Sequence, residues 1–357
     1  MKNAVGSIVW FLAAATVVAQ APMPVIQNGQ VHARPATSVE AAVRTAAPSP
    51  DATWVAWREP MVDGGRRACS TWTEGDVTVR GMLLEPRAGD DGRPQLAPSQ
   101  GPAQLEAGTG VVVLLRVIDG HVERLRTISD DCPIDANGRT VEWLTGVTPA
   151  ESLRYLSTLA QPGSLTNDAR RLAQSAASAI AMHRDVGADP ILDRLVTADI
   201  ESDRDNAWRL LAGYRGRHGY DMLTRAIAAE RNASTRQRLV SALRQSSDAG
   251  AVTTLLTLAK SDPSEHVRAE AVAGYAALSG VSGLPQVIEI ATKDVSQEVQ
   301  RRAVSGVARL PQPSSVPALL TLARTSALPA VRKEAIGALS RTDDPRATAY
   351  LEEIVGK

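Results

Sequence analysis

The residues of this chain that could do metal or redox chemistry are five histidines, two cysteines and one turn rich in Asp and Asn. None of the histidines (His32, His121, His183, His218, His266) is followed by Glu, and the three in the C-terminal half fall at different phases of the repeat described below. They cannot converge on one metal ion and read as solvated or capping side chains. Asp135, Asn137 and Gly138 match three consecutive key positions of a calcium loop. Its first and last ligand positions would be Pro133 and Leu144, which have no side-chain oxygen, so the stretch reads as a turn. Gly108-Thr109-Gly110 begins a dinucleotide-like pattern but leads into a β-branched run rather than a helix whose dipole could face a phosphate. H-E-x-x-H, G-x-S-x-G and phosphate-loop patterns do not occur. The expectation is no catalytic residue, no cofactor and no metal.

Cys69 and Cys132 lack the C-x-x-C spacing of thiol-redox or zinc sites. Their setting follows from the N-terminus. Met1-Lys2-Asn3 precedes an apolar stretch from Val5 to Ala19 and a small-residue ending at Ala19-Gln20-Ala21, the form of a cleavable export signal covering residues 1–21. About 15 apolar residues fall short of the roughly 20 that span a bilayer, and no later segment reads as apolar enough to do so. A periplasmic or secreted chain with two cysteines predicts one Cys69–Cys132 disulfide, worth about 4 kcal/mol in the chain-entropy view.

The composition adds exclusions. The 357 residues are 44% hydrophobic, enough for buried cores, and 39 basic residues balance 39 acidic ones. Neither the basic footprint of a nucleic-acid binder nor the acidity of a solvating tail is present, and 3% aromatics are too few for base stacking. Residues 22–50, rich in Ala, Pro, Ser, Thr and Gln, read as a flexible linker. Residues 51–147 read as a small β-rich domain, with β-branched or aromatic runs from Thr53, Val77, Val111 and Val122, and turn signals at Asp119-Gly120 and Asn137-Gly138. Between Glu85 and Gln104, Gly, Pro, Asp and Gln dominate and predict a long loop.

Residues 148–357 repeat with a period of 32. Ile191, Leu223, Leu255, Val287, Leu319 and Leu351 form one ladder; Leu195, Ile227, Ala259, Ala291, Ala323 and Val355 form a second, four residues on. The two make an i, i+4 stripe on one helix per repeat. A further helix carries Ala207, Leu239, Ala271, Ala303 and Ala335, with apolar residues one and four positions later. Such a unit cannot bury its apolar face alone, so the predicted fold is an α-solenoid preceded by the β-rich domain. Thr148-Pro149-Ala150-Glu151 predicts its first N-cap, six helix pairs follow, and a lone helix from about Pro345 to Val355 closes the array.

Val267-Arg268-Ala269-Glu270-Ala271-Val272, and the matching stretches from Val299 and Val331, resemble the second-helix signature of short bacterial HEAT repeats, related to those of the phycobilisome lyases. The resemblance covers about residues 148–357, and the arrangement also resembles exported bacterial proteins with a small domain ahead of HEAT repeats. It implies a structural role for the recurrent Arg204, Arg236, Arg268 and Arg332, with Gln300 the departure. It also implies second helices lining a concave surface and binding of proteins rather than catalysis. Some relatives are enzymes, namely bilin lyases and di-iron hydroxylases, and the latter need repeated His-Glu pairs that are missing here.

The expected partner is another protein of the periplasm or cell envelope. Contact residues on second helices would be Arg238, Glu270, Arg301, Arg302 and Lys333, and those in a glycine-rich turn would be Tyr214, Arg215, Arg217, His218 and Tyr220. Two alternatives stand beside this reading. One is binding of envelope glycans or small ligands by the β domain, with Trp54, Trp57 and Trp72 as stacking platforms; the other is a HEAT-type lyase or other enzyme with an unrecognised site.

Overall fold

The computed structural model describes residues 23–46, 52–64, 69–74, 77–85, 109–163 and 166–356. The expected export signal and the expected loop between Glu85 and Gln104 lie outside the described residues, apart from Glu85 itself.

The β-rich domain is built around a five-stranded sheet in the order β2 (Gln30–Pro35), β9 (Thr140–Thr145), β3 (Thr53–Pro60), β6 (Gly110–Ile118), β7 (His121–Ser129). The β2–β9 and β9–β3 pairs are parallel, and β3–β6 and β6–β7 antiparallel. Asp119 and Gly120, both at positive φ (48° and 74°), make the tight turn between β6 and β7 that their types predict. A second sheet, β1 (Ile26–Gln27), β8 (Ile134–Asp135), β5 (Val77–Leu83) and β4 (Ser70–Glu74), covers one face of the first. Its Leu84 and Ile134 join Trp54, Ala56, Val112 and Leu114 in one core. The disulfide between Cys69 and Cys132 spans a Cα–Cα distance of 5.5 Å and ties this sheet together.

Burial on both faces explains why β3 and β6 are almost continuously apolar. The other face, through Val55, Trp57, Val113 and Leu115, packs on helices. One of them, α1 (Val39–Arg44), lies in the stretch expected to be a linker, and so do β1 and β2. Residues 22–50 are thus not merely a tether. Ser38 caps α1 at 3.2 Å, and Val39, Ala42 and Val43 bury an i, i+3, i+4 stripe too short to stand out against Ala- and Pro-rich surroundings. β2 is an edge strand with mostly exposed side chains, so it lacks an apolar alternation.

Six helix pairs follow: α2 (Pro149–Leu159) with α3 (Asn167–Met182), α4 (Ala188–Leu195) with α5 (Glu201–Tyr214), and α6 (Gly216–Ala229) with α7 (Ala233–Leu243). Then come α8 (Gly250–Ser261) with α9 (Glu265–Ser279), α10 (Leu284–Lys293) with α11 (Gln297–Ala308), and α12 (Gln312–Thr325) with α13 (Pro329–Leu339). The single helix α14 (Pro345–Val355) ends the array. Ladder residues Leu223, Leu255, Val287 and Leu319 are buried, as are Ala207, Leu239, Ala271, Ala303 and Ala335. In α4 the buried positions slip by one, to Leu192 and Val196. Contrary to expectation, residues 265–293 are apolar enough by composition to cross a membrane. They form two core helices broken at Gly280 (φ 57°), with Val267, Val272, Val287 and Ile290 in the solenoid core.

The recurrent arginine reaches back six residues to a backbone carbonyl in each repeat. Arg204 donates to Ala198, Arg236 to Glu230, Arg268 to Asp262 and Arg332 to Ser326, at 2.6 to 3.0 Å. Gln300 keeps the same bond, to Asp294 at 2.7 Å. Arg236 also clasps the Asp262 carboxylate (2.8 and 2.9 Å), and Arg268 that of Asp294 (2.9 and 3.0 Å), so consecutive repeats are linked by two-pronged ion pairs. Burial works to raise the Asp262 carboxyl, but the Arg236 guanidinium and the Ser264 amide outweigh it and hold it below its ordinary value. Its contribution to stability is therefore present above its unfolded pKa of about 4 and lost as pH falls through the lower folded value. Asp262→Asn should be less stable than wild type near neutrality, and the two denaturation midpoints should converge as the pH falls below the ordinary carboxyl range.

Candidate interaction surface

The second helices α3, α5, α7, α9, α11 and α13 pack on one another in unbroken series, whereas the first helices meet only sparsely. The second-helix layer is therefore the tighter, inner side of the array. At its N-terminal end it meets β7, the edge strand of the five-stranded sheet. The domains share a core there: Trp57, buried completely, donates from its indole nitrogen to Ser152 Oγ on α2 at 3.0 Å. The Glu151 carboxylate accepts the Val39 amide at 2.8 Å, capping α1, while Arg154 of α2 holds it at 2.8 Å.

A groove of about 980 Å³ runs along this meeting line. One wall is β7 with Arg116 of β6; the other is the stripe Asp168, Arg171, Leu172, Ser175 and Ser178 of α3, with Asn206 of α5 beyond it. Val122 and Leu172 supply apolar contact surface, and Gln174, Ser175, Ser178 and Asn206 neutral hydrogen-bonding groups. Arg116 is held by Glu85 at 2.6 Å and by Glu123. Arg126 lies over the Trp54 ring, 5.9 Å from its centroid, and donates to the Leu83 carbonyl at 2.7 Å. Burial lowers the Arg126 pKa, the neighbouring charge of Arg124 lowers it further, and Glu85 opposes both. Nothing in the sequence pattern marks this groove, because its walls come from distant parts of the chain.

The ten expected contact residues do not share one surface. Arg238, Glu270, Arg301, Arg302 and Lys333 all lie on second helices. Arg238 pairs with Glu201 (2.8 Å) and Asp205 (3.5 Å) on the preceding second helix; burial raises the Asp205 carboxyl, against the pull of Arg238. Glu270 is buried and accepts from Arg244 at 2.9 Å, so it links repeats rather than facing a partner. Arg301 and Lys333 are exposed, while Arg301 and the half-buried Arg302 pair with Glu298 on their own helix.

The expected glycine-rich turn is barely a turn. α5 runs through Tyr214, a single residue intervenes, and α6 starts at Gly216. A side chain at Gly219 would stand 2.0 Å from the Leu211 carbonyl oxygen, so glycine is needed for α6 to lie against α5. Arg217, His218 and Tyr220 belong to α6, a first helix away from the inner layer. Arg217 pairs with Asp221 at 2.9 Å, His218 with Asp193 at 2.9 Å, and the Tyr220 hydroxyl with Thr254 at 2.9 Å. Tyr214 packs half-buried against the junction core.

Arg215 is the clearest correction. Its side chain is 5% exposed, pairs with Asp189 at 2.5 Å and donates to the carbonyls of Ala181, His183 and Asp185 at the end of α3. It satisfies a helix C-terminus and cannot also meet a partner. Beside it, His183 is buried rather than solvated, its Nε2 3.3 Å from Glu59 Oε2, where β3 abuts the end of α3. Trp54 and Trp57 are likewise fully buried, Trp54 donating to Glu85 at 3.2 Å, so neither is a stacking platform. The Trp72 side chain lies outside the described residues. Among the described residues no group of three His, Cys, Asp or Glu side chains could hold a metal ion, and Asp135 accepts the Asn137 amide at 2.9 Å in an ordinary turn.

Residues 284–357 match the family described as HEAT repeats. Among solved structures it is similar to the complex of CpcE and CpcF of phycocyanin lyase from Nostoc, at 20% identity over 43% of this chain and 99% of that one, with a TM-score of 0.34. It is also similar to YibA of Escherichia coli, at 19% identity over 52% of this chain and 67% of that one (TM-score 0.35). Human deoxyhypusine hydroxylase gives 16% identity over 54% and 73%, with a TM-score of 0.29. These likenesses assign no activity or partner to this chain. No curated protein matches it in sequence.

The environments of the two adjacent arginines predict opposite outcomes. Arg215→Ala leaves Asp189 and three helix-end carbonyls without their donor and should cost about 3 kcal/mol, whereas Arg217→Ala, on the surface, should change stability by less than about 0.5 kcal/mol. Thermal melts of the two variants check this.

Proposed function

We infer that the protein is an exported, non-enzymatic scaffold that binds another protein of the periplasm or cell envelope along its inner layer. One observation carries the reading: the second helices form an unbroken layer that opens, at the sheet, into a groove of about 980 Å³ lined by polar, charged and apolar side chains. HEAT-repeat folds commonly serve protein–protein contact. The apolar run Val5–Ala19 ending in Ala19-Gln20-Ala21 supports export, and the Cys69–Cys132 bridge is consistent with an oxidising compartment.

A photo-reactive residue placed at Arg301 or Lys333 on second helices should crosslink one reproducible protein in the native cell. The same residue at the exposed Thr257 of α8 should not. Equal crosslinking from both faces, or none from the inner one, would remove the scaffold reading. N-terminal sequencing of the mature protein should begin near Ala21 or Pro22, and an intact Met1 would remove the export signal.

A further inference from the structure

The groove between β7 and α3 has a charge bias that the rest of the chain lacks. Arg116, Arg124, Arg126 and Arg171 line it against Glu123 and Asp168, in a protein whose charges balance over the whole chain. Glu85 and Glu123 both hold Arg116, so the bias is carried by Arg124, Arg126 and Arg171. Asp168 lies 3.9 Å from Arg171 with both side chains open to solvent, a pair of negligible strength. Arg124 is exposed, and no ion pair reaches it from any described residue.

The shape fits a chain segment better than a compact ligand. The groove follows a strand on one side and several turns of helix on the other, from Asp168 to Ser178, and its volume corresponds to several extended residues. Val122 and Leu172 offer contact to apolar side chains, while the amides and hydroxyls of Gln174, Ser175 and Asn206 can meet a peptide backbone. The Glu123 position, where the β6–β7 register shifts beside Arg116 and Val117, bends the strand near the groove's end.

We propose that this groove seats an extended acidic segment of the partner protein, with Arg124 and Arg171 taking its carboxylates. The inference rests on the scaffold reading and specifies which part of the inner layer recognises what.

The test is fluorescence anisotropy of the purified full chain with a labelled peptide of about eight residues alternating Glu and Val, beside its Lys-for-Glu counterpart. The acidic peptide should bind, weaken at least about tenfold between about 0.05 and about 0.5 M NaCl, and lose at least about tenfold in affinity in an R124E/R171E variant. Both arginines are exposed, so the variant should fold; unchanged circular dichroism and melting confirm that. Ser175→Trp, which fills the groove and leaves the arginines in place, should also lose binding. Equal binding of the acidic and basic peptides, no acidic binding, or unaltered affinity in R124E/R171E would overturn the proposal. So would a photo-crosslink from position 206 to the chain's own residues 86–108, which contain Asp90, Asp91 and Glu106. The two readings fail separately: crosslinks at Arg301 and Lys333 without acidic-peptide binding would keep the scaffold and remove this site, and acidic-peptide binding without any crosslinked protein would do the reverse.

Discussion

A two-helix unit of 32 residues has more apolar surface than it can cover, so every pair in this chain depends on its neighbours. That constraint sets the interior of the array, where Leu223, Leu255, Val287 and Leu319 interleave with the small Ala271, Ala303 and Ala335 of the facing helices. It also sets the requirements at the ends. At the C-terminus α14 covers α12 and α13 with Ala347 and Tyr350 and turns Glu352 and Glu353 to water. At the other end the five-stranded sheet, with α1 beside it, takes that place, with Val55, Trp57, Val113 and Leu115 against Leu153, Leu156 and Ile180. The β domain is thus the solenoid's end cap as well as a domain in its own right.

Polar groups then fix the geometry that apolar packing leaves loose. Arg236 and Arg268 each join a carbonyl in their own repeat to a carboxylate in the next, which sets the angle between successive pairs. The link lapses after α11, where Gln300 and Ser326 replace the Arg and Asp found one repeat earlier, although Gln300 keeps its own carbonyl bond. At the other end Arg215, Asp189, His183 and Glu59 form a polar knot joining the end of α3, α4, the α5–α6 junction and β3. Together these contacts hold the inner layer and β7 at a fixed distance, and the groove between them is the result.

Much of the solenoid was legible because a period of 32 repeats the same information many times over; six helix pairs form after Thr148 and α14 appeared where Pro345 and Val355 bracket it. The paired turn at Asp119-Gly120 and the Cys69–Cys132 bridge were legible for local chemical reasons. What the sequence hid was non-periodic. α1 shows only two turns of pattern, and β2 is an exposed edge, so the stretch around them read as a linker. Arg215 has the composition of an interface residue, and only the fold shows that the end of α3 claims all its donors. The groove was out of reach for the same reason: Arg124 and Arg171 are far apart in sequence and meet only when the sheet caps the helices.

The central claim is that sheet and solenoid form one cooperative body whose junction presents a preformed groove. Hydrogen exchange followed by mass spectrometry on the free protein tests it most directly. If the account holds, amides of β3 and β6 around Val55, Trp57 and Leu115 will exchange as slowly as those of α2 and α3, and destabilising the junction through Ser152 will speed both together. If the strands exchange quickly while α2 and α3 stay protected, the sheet is an independent appendage and the groove is not a fixed feature of the molecule.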